Sequence, residues 1–84
     1  MMYLTIITPN KIVFEGNVYK AAFPGVAGSF QVLQDHAPLV SALQSGTISY
    51  GDEKQTYALS IEEGWMEVSN NSITVLATFV MSSH

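Results

Sequence analysis

A chain of 84 residues without cysteine suits a single domain, residues 1–84, and excludes a disulfide framework and a thiolate zinc site. Three lysines, no arginine and a net charge of −4 leave no phosphate-gripping surface for nucleic acid or anionic lipid. Only 12% of residues are charged while 48% are apolar, so part of the apolar surface is expected to face another protein.

Residues 1–9 carry no basic stretch ahead of an apolar core, so no signal peptide is expected. Every apolar run is also broken well before the ~20 residues of a membrane helix, which predicts a soluble chain. Residues 3–8 and 11–15 flank Pro9-Asn10 as a first hairpin, and Gly16-Asn17 marks the next turn. Strands at 18–23 and 30–33 follow, separated by the glycine-containing loop Pro24-Gly25-Val26-Ala27-Gly28. Turn formers recur from Asp35 to Pro38 and at Ser45-Gly46, while residues 39–43 between them are ambiguous.

Residues 46–50 and 55–61 flank Gly51-Asp52, whose residue types suit the positive φ of a hairpin turn. Tyr57, Leu59 and Ile61 are predicted on one face of their strand, with Ala58 and Ser60 on the other. After Glu63-Gly64, residues 65–68 and 72–77 flank Asn70-Asn71 as another hairpin. In the last strand Ile73, Val75 and Ala77 oppose Thr74, Leu76 and Thr78, so both faces are expected to be partly covered, as in two packed sheets. Nowhere do apolar residues keep helical spacing for ten residues. The fold class is all-β, a sandwich.

Four features could carry chemistry, and each has a plainer reading. Glu62, Glu63 and Glu67 supply carboxylates, but Glu62 and Glu63 are neighbours at a turn, and a strand would point them to opposite faces. Asp35-His36 resembles an acid–base pair without a nucleophile elbow to serve. His84 is the last residue, which leaves too few histidines for a metal site. Residues 24–28 lack the Lys-Ser/Thr ending and the following helix of a phosphate loop. Asn70-Asn71-Ser72 fits a glycosylation pattern, but its asparagines serve the turn.

Residues 28–39, Gly-Ser-Phe-Gln-Val-Leu-Gln-Asp-His-Ala-Pro-Leu, followed by Leu43-x-x-Gly46, resemble the signature of the epsilon subunit of F-type ATP synthases. The opening Leu4 to Pro9 with Val13-Phe14-Glu15-Gly16, and the closing Glu63 to Val68 and Ile73 to Ala77, match that family in order. The resemblance implies a flattened ten-stranded β-sandwich or barrel. It also implies a non-catalytic rotor part of the central stalk that binds the gamma subunit and the c-ring and couples proton translocation to ATP synthesis. No cofactor is implied. The implied location is peripheral, at the cytoplasmic face of the bacterial inner membrane.

By the same resemblance Ser29 and His36 are candidate c-ring contacts, and Leu39 and Ser41 candidate gamma contacts. Ser29 stands where the family often has Glu, Gln31 where it has Gly, and Gln34-Asp35 where it has Pro-Gly. The sequence stops at Met81-Ser82-Ser83-His84, without the C-terminal helical hairpin of most bacterial relatives, so a coupler that neither inhibits nor senses ATP is expected. The alternative is a free-standing small-ligand-binding β-barrel, which requires an enclosed cavity lined by aromatic side chains. An enzyme using Glu62, Glu63 or His36 is a third reading.

Overall fold

Short β-rich stretches punctuated by turn formers leave the backbone one way to satisfy its hydrogen bonds, strand against strand. The computed structural model, which describes residues 1–78 and 80–82, contains ten strands. They are β1 (Met2–Ile7), β2 (Ile12–Val18), β3 (Lys20–Gly25), β4 (Gly28–Leu33), β5 (Leu39–Leu43), β6 (Gly46–Gly51), β7 (Thr56–Ile61), β8 (Gly64–Ser69), β9 (Ser72–Ala77) and β10 (Val80–Ser82). His84 lies outside the described residues.

The strands hydrogen-bond in the order β10-β7-β6-β3-β5-β8-β9-β1-β2, with β4 branching off β3. All pairs are antiparallel except β1 with β9. Only Gly25↔Leu43 joins β3 to β5, so this junction divides the curled sheet into two layers. One holds β10, β7, β6, β3 and β4; the other holds β5, β8, β9, β1 and β2. Across the far side, Phe14 of β2 meets Tyr50 of β6 with ring centroids 4.5 Å apart, in the range where aromatic pairs attract.

Alternation along the strands fills the space between the layers. Leu4 and Ile6 of β1, Met66 and Val68 of β8, and Ile73, Val75 and Ala77 of β9 meet Ala21 and Phe23 of β3, Ile48 of β6 and Leu59 and Ile61 of β7 in one buried cluster. No buried polar or charged residue interrupts it among the described residues. The apolar interior therefore supplies most of the stability, at roughly 25 cal/mol per Å² removed from water.

Two turns follow residue chemistry closely. Asn70 and Asn71 have φ of 51° and 61°, the double positive φ of a two-residue hairpin. After Gly51, the Asp52 carboxylate accepts the Lys54 and Gln55 backbone N–H groups at 2.9 and 2.8 Å, so the connection keeps its expected length but lies one residue later, at 52–55, and β7 starts at Thr56.

Elsewhere tertiary pairing overrides the local signals. Gly16-Asn17 is not a turn: β2 runs on to Val18, with Gly16 opposite Leu4 and Asn17 opposite Tyr3. Pro24 and Gly25 are the end of β3 rather than a loop, and only Val26-Ala27 lie between the paired Gly25 and Gly28. The ambiguous residues 39–43 are a strand, recruited by β8. Leu76, expected to be partly covered, is 49% exposed, because among the described residues no element packs on the outer face of β9.

Candidate functional site

The four residues singled out as partner contacts lie together. Ser29, His36, Leu39 and Ser41, with Phe30 and Val40, line one open groove of about 630 Å³. The β3–β4 hairpin forms one bank and β5 the other, because β4 branches off β3 and leaves β5 to pair with β8. Ser29 is exposed opposite Pro24. Leu39 and Ser41 share the inward face of β5 with buried Leu43. Leu39 packs against the core, and the Ser41 hydroxyl donates to the Ala42 carbonyl at 3.1 Å. Phe30, whose ring lies 5.6 Å from that of Phe23, ties the groove to the core.

His36 follows the turn at Gln34-Asp35 and is half-buried. Its Nδ1 lies 2.7 Å from the Ala37 carbonyl oxygen. A carbonyl only accepts, so Nδ1 carries the proton and Nε2 is left for a partner.

Sequence reasoning missed a second surface. Ala42, Trp65, Leu76, Ile7 and Ile12 pair in one transverse row on the outer face of β5, β8, β9, β1 and β2. At ~4.8 Å per strand the row is roughly 19 Å long. Trp65 is 48% and Ile12 53% exposed. Ile7, Pro9, Trp65, Leu76 and Ala77 line an open apolar groove of about 570 Å³. The parallel row two residues along reads Val40, Glu67, Thr74, Thr5 and Glu15, mostly polar. The signal was available in the alternation of β8, where Met66 and Val68 take the inner face and leave Trp65 outside. Val40 lines the first groove and lies two residues from Ala42 on the same outer face of β5, so the two surfaces adjoin along that strand.

The remaining candidate groups do not converge. Glu62 and Glu63 sit exposed in the β7–β8 turn, and Glu67 is exposed in the polar row. Among the described residues no cluster of three His, Asp or Glu could hold a metal. Two tyrosines are perturbed. Burial raises Tyr50 above its ordinary value, with a further push from Tyr57. Tyr3 is raised by desolvation and by its hydrogen bond to the Glu15 carboxylate, 3.2 Å away.

Comparison with known proteins gives a consistent result. Residues 1–83 match the family described as "ATP synthase, Delta/Epsilon chain, beta-sandwich domain". The ATP synthase epsilon chain of Nitratidesulfovibrio vulgaris is 40% identical over 76 residues, 90% of this chain and 57% of its own length. That of Chlorobium limicola is 40% identical over 74 residues, 87% of this chain and 84% of its own. The chain thus spans little more than half of the first relative and most of the second. Among solved structures, a chain of the Euglena gracilis mitochondrial ATP synthase superposes with a TM-score of 0.89 at 17% identity, over 96% of this chain and 52% of that one. A chain of the Tetrahymena thermophila central stalk and c-ring gives 0.80 at 16% identity, over 96% and 66%. These last two establish likeness of fold.

Proposed function

This chain belongs to the β-sandwich family of ATP synthase delta and epsilon chains, and from that membership we propose that it is a non-catalytic part of the rotor's central stalk. It binds the gamma subunit and the c-ring at the cytoplasmic face of the bacterial inner membrane and helps couple proton translocation to ATP synthesis. The supporting observation is the pair of adjoining surfaces. An apolar row across five strands is suited to a long hydrophobic partner such as gamma. Beside it, the groove holding Ser29 and His36 presents small and polar groups suited to the loops of the ring; Leu39 and Ser41, the proposed gamma contacts, line the same groove.

A free-standing small-ligand barrel has less in its favour, because Phe23, Met66, Ile48 and their neighbours fill the interior. The test is gel filtration of the chain with its cognate gamma subunit at micromolar concentration. Co-elution and a raised melting temperature are expected, since a partner that binds only the native state stabilises it. Separate elution would refute the reading.

A further inference from the structure

We propose that Asn71 is a positioning residue, whose side chain clamps the Gln34–Asp35 turn and thereby holds His36 at the groove. The clamp joins residues 36 apart in sequence. The His36 backbone N–H donates to the Leu33 carbonyl at 3.1 Å, closing a turn with Asp35 in third place at φ 65°. A turn of this type favours Pro in second place and Gly in third, because they supply the fixed φ and the positive φ that the geometry demands. Gln34 does not fix φ, and Asp35 takes the positive φ at a cost that glycine would not carry, so this turn gains from support outside it.

That support is reciprocal. The Asp35 backbone N–H donates to Asn71 Oδ1 at 2.7 Å, and Asn71 Nδ2 donates to Asp35 Oδ1 at 3.1 Å. Only one orientation of the amide satisfies both bonds, and the second is charge-assisted. Asn71 is itself fixed, because its φ of 61° belongs to the β8–β9 hairpin turn. Its carbonyl also accepts the Tyr3 N–H at 2.8 Å. The loop that carries His36 is therefore bolted to β1, β8 and β9, three of the five strands that carry the apolar row. A partner on the row and one at the groove would meet surfaces held in fixed relation.

This inference rests on the groove being a docking surface, and the test separates the two ideas. Asn71→Gly removes the clamp while keeping a residue that accepts positive φ, so the hairpin survives. Amide exchange measured by NMR on the whole chain is expected to rise about tenfold at Asp35, consistent with loss of one or two hydrogen bonds, and to stay unchanged at Val68 and Val75. Titrated into ATP synthase stripped of this subunit, N71G is expected to raise Kd about fivefold. In an His36→Ala background the same change should alter Kd less than twofold, and adding Asp35→Gly to N71G should restore it.

Unchanged exchange at Asp35 would overturn the clamp. Faster exchange with an unaltered Kd, or equal weakening with and without His36, would overturn its positioning role. Failure of the unaltered chain to dock would overturn the functional reading and the docking half of this proposal, leaving the clamp to be decided by exchange alone.

Discussion

Replacing Trp65 with threonine is the sharpest probe of the apolar row. The indole is 48% exposed, and a tryptophan offers 150–250 Å² for burial, so roughly 100 Å² is free to be covered by a partner. At ~25 cal/mol per Å² that area contributes about 2.5 kcal/mol to docking, or roughly a 70-fold loss of affinity for Trp65→Thr. The covered half packs beside Ala42 and Leu76 in register, and losing it costs about 2 kcal/mol of folding free energy after the threonine methyl is credited. Domains of this size have ~4–13 kcal/mol in hand, so the variant folds. Urea denaturation of the chain alone measures the folding cost, and titration into ATP synthase stripped of this subunit measures the docking cost. An affinity within threefold of the original, in a variant that still folds, would show that the row is not a docking face.

Two further outcomes follow from local geometry. In Gly25→Ala the new Cβ would lie 2.7 Å from the Gly28 carbonyl oxygen and 2.8 Å from the Phe30 ring, so a loss of about 1–3 kcal/mol in chemical denaturation is expected, with Phe30 displaced from the groove. Raised pKa values at Tyr50 and Tyr3 mean that above about pH 10 the native state holds more protons than the unfolded one, so stability, complete below that pH, falls as pH rises further. Thermal melts between about pH 9 and 11 should show this decline, and Tyr50→Phe should flatten it; a melting temperature indifferent to pH in that window would contradict the assignment.

The strands were legible wherever the local code and the pairing agreed. Asn70-Asn71 can take positive φ at adjacent positions, so the β8–β9 hairpin could be read directly. Leu59 and Ile61 face the core as alternation requires. Legibility failed where a distant partner decided. Gly16-Asn17 has turn chemistry, yet β1 offers Leu4 and Tyr3 as ladder partners, and each added pair satisfies backbone groups a turn would leave open. Leu39 to Leu43 is undecided alone and becomes a strand because β8 needs a neighbour.

The groove residues were found through family resemblance rather than physics. Nothing in the alternation brings Ser29 and Ser41 together; that takes the branching of β4 away from β5. The apolar row was hidden for the opposite reason. Its members lie on five strands, 58 positions apart in sequence in the case of Ile7 and Trp65, and each looks like an ordinary strand residue. What distinguishes them is register: pairing lines Ala42, Trp65, Leu76, Ile7 and Ile12 into one row and sets the polar Glu67, Thr74, Thr5 and Glu15 in the next. A surface kept polar only for solubility would mix the two. With 12% of residues charged, few charges remain to screen such a row, and covering it with another protein is the arrangement that removes it from water. The low charge noted at the outset thus becomes an expectation about one end of one face, where Trp65 stands.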